Sequence, residues 1–353
     1  MKVRNRLKSG NGPIFLALLA TIVVVFMIEL IFVRDFNIAK VAFIKPRNIS
    51  NVLMQVSTTG ILAIGMTLVM ISGGIDLSIG QMMCFIGTGM AFMMRTVGLN
   101  DWVVVLLGVA VAVLFQVLMG FIISRTKLEP FIVSLGFMSI YKGFTYLITN
   151  GSEITIEGRF NFLGSTYLNL GSSLRLGMPV IVFILLEVLA WLVLKYTKFG
   201  RSVYAVGGNE NAAFLAGINI KKFKLLVYGV NGIFVAIATM VLLSRLGTGN
   251  PLIGDGKEID VIAAVVVGGT ALSGGRGNVW GTLIGVFLLG CISNALNILG
   301  VNPYWQYVMT GTIIVLAVLL SYFSSLSSTS VNAGPMKKKP NKEPNKEQGI
   351  VAN

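Results

Sequence analysis

Ten stretches of this chain approach the roughly 20 apolar residues that a helix needs to cross a hydrocarbon layer about 30 Å thick. They cover about 13–33, 51–72, 78–94, 102–123, 130–149, 177–194, 225–246, 259–272, 278–299 and 304–323, the third and eighth being short. Backbone in lipid must satisfy its own hydrogen bonds, so such runs fold as helices. The expected fold is an all-α polytopic membrane protein of about ten transmembrane helices, some broken or re-entrant. The membrane domain would occupy 1–323 and a disordered basic tail 324–353. Only 12% of the 353 residues are charged and mean hydropathy is +0.82, whereas soluble domains carry about 25% charge. The solvent of this chain is the lipid bilayer.

Its net charge of +14 would fit a nucleic-acid binder, but the basic residues sit at the ends of apolar runs instead of forming one face. Nucleic acid is therefore excluded as the partner. With the N-terminus inside, the cytosolic segments hold most of the 28 Lys and Arg: Lys2, Arg4, Arg6, Lys8, Arg125, Lys127, Lys195, Lys198, Arg201, Lys221, Lys222, Lys224, Arg276 and the tail lysines. That bias places both termini in the cytosol, against which stand Arg34, Lys40, Lys45 and Arg47. The run after Lys8 is too long for the apolar core of a signal peptide, so it reads as an uncleaved first span. Cys84 and Cys291 each lie inside an apolar run and give no disulfide framework. Histidine is absent, which removes the commonest metal ligand and general base.

Two polar connections stand out. Residues 150–177 form the largest segment on the outer side, available to a soluble partner. On the inner side, Arg201 to Lys224 is basic and punctuated by glycine. Within it Gly208 and Asn209 precede a short helix, with Asn209 as its cap, and Gly217 stops it. The turns between carry Glu210, Ala212, Ala213, Phe214, Leu215 and Ala216. An apolar knob in a loop that faces water calls for a protein groove to receive it. Beyond Ser324 the composition turns to Ser, Lys, Pro and Asn, which cannot bury a core.

One internal echo joins Gly73, Gly74, Leu77, Ser78 and Gly80 to Gly268, Gly269, Leu272, Ser273 and Gly275, as GGxxLSxG at an offset of 195. Both copies follow one apolar run and open another, as a helix broken at a glycine hinge would. In the first copy, Asp76 is an ionisable group near a span end. It can pair with a cation or fix a gate, or it can cap a helix, and both readings stand. Glu187 lies mid-span; Glu29 and Asp260 lie near span ends, where snorkelling accounts for them. Gln55, Ser57, Thr58 and Thr59 share one span, Asn231 lies in another, and Ser293, Asn294 and Asn297 in a third. Such groups line passages for a neutral polyol or bind helices together.

Several chemical look-alikes fail. Gly254-Asp-Gly-Lys-Glu258 has Pro251 where a P-loop needs its first glycine and Glu258 where it needs Ser or Thr. No base accompanies Ser72 or Ser273 in a nucleophile pattern, and no zinc-spaced cluster exists. Catalytic and metal-ligating residues are expected to be none.

The stretches ILAIGMTLVMISGGIDLSIG, GRSVYAVGGNENAAFLAGINIKKFK, EIDVIAAVVVGGTALSGGRGNVWGTLIGV and ISNALNILGVNPYWQ, in this order between about Asn48 and Leu320, resemble the permease subunit of the ribose-type monosaccharide ABC importers of bacteria. The resemblance implies a multi-pass protein of the cytoplasmic membrane beside a second permease copy, identical or paralogous. A separate ATPase subunit would hold ATP and Mg, and an extracytoplasmic binding protein would deliver ribose, galactose or xylose. No cofactor is then expected in this chain, and no enzymatic activity. The family's coupling helix carries an EAA-x3-G signature, which Ala212-Ala213-x3-Gly217 matches with Glu210 one position early. Hinges would lie at the two glycine pairs. Nucleoside or autoinducer-sugar uptake remains open as a rival, as does an ion-coupled secondary transporter in which Asp76 binds the ion. A membrane-embedded enzyme is opposed by the missing histidine.

Overall fold

The computed structural model describes residues 12–33, 36–37, 40–126, 128–169, 175–302 and 304–331. Helix α1 (Gly12–Ile28) runs into a π turn at Glu29–Val33, and α2 (Pro46–Ile71) follows. Then come α3 (Ile79–Phe92), prolonged by a π turn at Met93–Val97, α4 (Asp101–Arg125) and α5 (Pro130–Thr149). The connection after α5 holds β1 (Ile154–Thr155), α6 (Phe162–Ser165), β2 (Tyr167–Asn169) and β3 (Arg175–Gly177). Next are α7 (Met178–Tyr196), α8 (Lys198–Gly208), α9 (Glu210–Leu215) and α10 (Ile220–Leu246). The chain closes with β4 (Thr248–Gly249), α11 (Lys257–Val267), α12 (Val279–Ile298) and α13 (Tyr304–Val331).

Local chemistry sets these boundaries. Proline begins α2 and α5, where its missing N–H is harmless. Asn100, Thr197, Asn209, Asn219 and Asn278 cap α4, α8, α9, α10 and α12 by accepting a backbone N–H in the first turn. Among the described residues seven helices, α1, α2, α4, α5, α7, α10 and α12, are long and apolar enough to cross a membrane. Helix α11 has 11 residues, too few to span alone, and α3 has 14 before its π turn; neither is among the seven, and they arise from the short third and eighth apolar stretches. Helix α13 continues to Val331, past the position where the tail was expected to begin; residues 332–353 lie outside the described residues.

Helices α2 and α10 are the centre of the bundle: 72% of the apolar window of each is buried, against 33% for α4, 28% for α5 and 11% for α1. Around them α4, α5 and α7 each turn one stripe inward. In α4 the stripe is Val104, Gly108, Ala112, Gln116, Met119 and Ile123, while Leu106, Leu114 and Phe121 face outward. The inward residues repeat every three or four positions, and the small Ala112 and Gly120, both buried, let α4 lie close against α10 at Gly232, Leu225 and Tyr228. Helix α1 rests on α12 at the edge.

The described residues of the connection after α5 form two short β pairs and a cluster around Arg159. Strand β1 pairs antiparallel with β4 and β2 with β3, and the Arg159 guanidinium donates to Asp101 (2.9 Å) and to the Leu99 carbonyl (2.6 Å). Glu29 departs from its expected snorkelling role. It is fully buried and accepts the N–H groups of Ala42 (2.7 Å) and Phe43 (3.0 Å), so it anchors the turn that leads into α2.

Candidate functional site

A cavity of about 290 Å³ opens between α2, α11, α12 and α13, at the lower end of the range for small-molecule sites of about 300–1,000 Å³. Its polar wall is made of Gln55 and Thr59 from α2, Asp255 before α11, Lys257 and Asp260 on α11, and Ser293 on α12. Across from these, Tyr304, Gln306 and Tyr307 at the start of α13 contribute amide and aromatic surface. Ser293 donates to Gln306 Oε1 (3.0 Å), and Gln306 donates to Asn297 (3.1 Å). Asp260, in the first turn of α11, lines this cavity and pairs with Lys257 at 3.3 Å.

Beside the cavity the polar strip continues. Gln81 of α3 donates to Asp255, and Lys142 of α5 approaches the same carboxylate at 3.9 Å. Lys142 lies seven residues before the end of α5, about 10 Å along the axis at 1.5 Å per residue. Its side chain is half-exposed, and a cation at that depth faces water or a partner, not lipid. Of this strip, Gln55, Thr59, Ser293 and Asn297 are among the polar span residues expected from the sequence, and Asp260 is the expected span-end carboxylate. The signals for the rest were a lysine within an apolar run and the GDGKE segment, set aside because it fails as a phosphate loop.

The remaining expected site residues fall into other groups. Asp76 is fully buried between α2 and α3. Its Oδ1 accepts from the Ser78 backbone N–H (2.9 Å) and hydroxyl (2.6 Å). Its Oδ2 accepts from Gln116 of α4 (2.6 Å) and Asn231 of α10 (2.8 Å). Asp76, Ser78 and Asn231 thus meet, and Gln116, which the sequence reading passed over, completes the set. Asn294 instead exchanges two hydrogen bonds with Asn48 (2.9 and 3.0 Å), binding α12 to the start of α2. Glu187 is buried on α7 with neither carboxyl oxygen hydrogen-bonded.

The glycine pairs form two copies of one helix stop. Gly73 (φ 87°) and Gly74 donate to Met70 and Val69, both at 3.0 Å; Gly269 (φ 89°) and Thr270 donate to Val266 (2.9 Å) and Val265 (3.1 Å). The left-handed residue is the first glycine of one pair and the second of the other, since only glycine adopts that conformation freely. Gly268 itself is right-handed. The structural match therefore runs one residue out of the sequence register, and Ser78 is buried whereas Ser273 is exposed.

Between α8 and α10, Asn209 accepts from the Ala212 N–H at 2.9 Å, and Gly217 (φ 88°) ends α9. Gly208 closes α8 beside it. Ala213 is buried, but Phe214 and Leu215 are 65% and 84% exposed, so the knob has two projecting residues. Glu210 is held by Lys224 through both oxygens (3.0 and 2.9 Å).

Residues 48–318 match the family model described as the branched-chain amino acid transport system / permease component. The chain belongs to this permease family. The permease is 40% identical over 287 residues to the ribose import permease protein RbsC of Bacillus subtilis (strain 168), covering 80% of this chain and 87% of the relative. Against the RbsC of Escherichia coli (strain K12) it is 37% identical over 278 residues, 79% of this chain and 86% of that one. The xylose transport system permease protein XylH of Haemophilus influenzae is 33% identical over 371 residues, with 89% and 97% covered. The family description names amino acids and these relatives are named for pentoses, so the family alone does not define the cargo. The permease is a multi-pass membrane protein and a transporter subunit.

Proposed function

We propose that the chain is the membrane-spanning subunit of an ATP-driven importer of a monosaccharide of the ribose, xylose or galactose type. The observation that carries the cargo is the cavity wall: amides, hydroxyls, tyrosines and charges that pair with each other. Such a wall hydrogen-bonds a neutral polyol and stacks on its apolar face without demanding a charge. Its likeness to permeases named for ribose and xylose agrees with that chemistry.

Phe214 and Leu215 dock on a separate ATPase subunit, which holds the ATP and Mg. An extracytoplasmic binding protein delivers the sugar to the side bearing 150–177, and both termini lie in the cytosol, with the residues after 331 as a basic tail. A second permease copy covers the face of α5 and α13 that leaves Lys142 and Asp255 half-exposed. Binding of ATP shifts the permease between outward and inward openings. Uptake of labelled ribose, xylose and galactose into vesicles holding the whole complex, with and without internal ATP, tests the reading. Import of one of them only with ATP and both partners is the expected result. Uptake by this chain alone, driven by an ion gradient, would overturn it.

A further inference from the structure

Helix α8, which leads into α9, ends against the main chains of both helix-stopping turns. A Cβ on Gly207 would overlap the Ile71 carbonyl oxygen and stand 2.8 Å from the Gly275 nitrogen. One on Gly274 would meet the Gly207 oxygen and the Gly73 Cα, each at 2.9 Å, and one on Gly275 would meet the Gly208 Cα at 2.8 Å. Real Cβ contacts do not come that close. The junction is also bonded: Gly275 N–H donates to the Ile71 carbonyl (2.8 Å), and the Tyr204 hydroxyl of α8 donates to the Gly277 carbonyl (2.9 Å).

From this junction two short helices lead to the cavity. The turn at Gly73 opens, through Asp76, into α3, which carries Gln81. The turn at Gly269 ends α11, which carries Lys257 and Asp260. The first turns of α3 meet the loop that precedes α11, where Gln81 donates to Asp255 and the Gly254 N–H lies 3.1 Å from Cys84 Sγ. The start of α3 and the short α11 thus form a closed link between the α8–α9 segment and the cavity wall. Helix shifts in transporters and switches amount to about 1–2 Å. Main chains in contact without intervening side chains cannot absorb such a shift, so it passes on to α3 and α11.

Resting on the proposed function above, we infer that Tyr204, Gly207 and Gly275 are positioning residues: they carry the displacement of the ATPase-docked α9 to Gln81, Asp255, Lys257 and Asp260. The test is the amount of ATP hydrolysed per sugar imported by the reconstituted complex. Tyr204→Phe removes one hydrogen bond and no packing; its ATP-to-sugar ratio is expected to rise about fivefold, the factor that one neutral hydrogen bond of about 1 kcal/mol carries. Gly207→Ala is expected to cut import at least about tenfold while hydrolysis stays within about twofold, as the junction is forced apart. Gly136→Ala, where a Cβ meets nothing within 4 Å, is expected to match the parent.

Unchanged ratios in both variants would overturn the inference, and so would import and hydrolysis falling in proportion, which marks a merely structural loss. If Gly207→Ala fails to assemble, Tyr204→Phe decides alone. Absence of ATP-driven import by the parent complex would instead strike at the proposed function.

Discussion

Replacing Asp76 distinguishes a structural node from an ion-binding site, because its four donors are fixed in pairs on two oxygens. In Asp76→Asn the new amide can keep its oxygen toward the Ser78 hydroxyl and N–H and turn its NH2 toward Gln116 and Asn231. The Gln116 and Asn231 amide oxygens have no other partner, so both amides can rotate and accept. Each bond falls from the charge-assisted class of about 1.5–3 kcal/mol to the neutral class of about 0.5–1.5, while the cost of burying a charge disappears. The net loss expected is about 1–2 kcal/mol. In Asp76→Ala the Gln116 amide can still turn to Met82 Sδ at 3.4 Å and the Ser78 hydroxyl to Met119 Sδ at 3.9 Å. The Asn231 amide and the Ser78 N–H are left with nothing, at about 1–3 kcal/mol each plus the lost bonds, or about 4 kcal/mol in all. At about 2 °C per kcal/mol for a chain of this size, thermal denaturation of the detergent-purified protein should drop about 3 °C for Asn and about 8 °C for Ala. Equal losses in the two variants, or none in Ala, would refute the reasoning. Intact stability in Asn together with abolished transport would make Asp76 an ion site instead.

Three other substitutions are informative. Phe214→Asp should insert normally yet weaken capture of the ATPase subunit about thirtyfold, the loss of roughly 2 kcal/mol of buried aromatic contact; undiminished co-purification would remove the docking role. Glu187→Met should raise the denaturation midpoint by a few degrees, since it replaces a buried carboxyl lacking any hydrogen bond with an apolar group of similar length; a lower midpoint would indicate a partner for Glu187. Asp255→Asn should reduce sugar import about tenfold while shifting stability by under about 0.5 kcal/mol, because its pair with Lys142 is half-exposed. Import at the parent rate would take Asp255 out of the pathway.

Much of the bundle is legible in the sequence because hydropathy records what each run faces. The ten apolar stretches become helices with ends within about five residues of those expected, except that α13 runs on to Val331, and Asn209 and Gly217 mark α9 by cap chemistry alone. The site is less legible. Asp76, Ser78 and Asn231 are far apart in the chain, and nothing local says that Gln116 closes the set. Asp260 looks like a span-end carboxylate until the loop before α11 folds inward and carries Asp255 to Gln81. The glycine echo misleads by one residue because sequence aligns the letters GG, whereas backbone geometry selects only the left-handed member of each pair. The contacts of Gly207 leave no periodic trace, since they concern the space a side chain would need.

The partnership of Lys142 with Asp255 also bears on how the chain is made. Helix α5 has the lowest mean hydropathy of the seven spanning helices, 1.4, and its lysine has no carboxylate neighbour until residues more than a hundred positions later emerge. At about 5–20 residues per second that is an interval of roughly 6–23 s. During it, α5 must stay at the insertion machinery, or beside α3 and α4, with its charge in a watery crevice. The order of synthesis therefore delays completion of the cavity wall until α11 arrives, and truncation before Asp255 leaves α5 as the span most exposed to quality-control proteases.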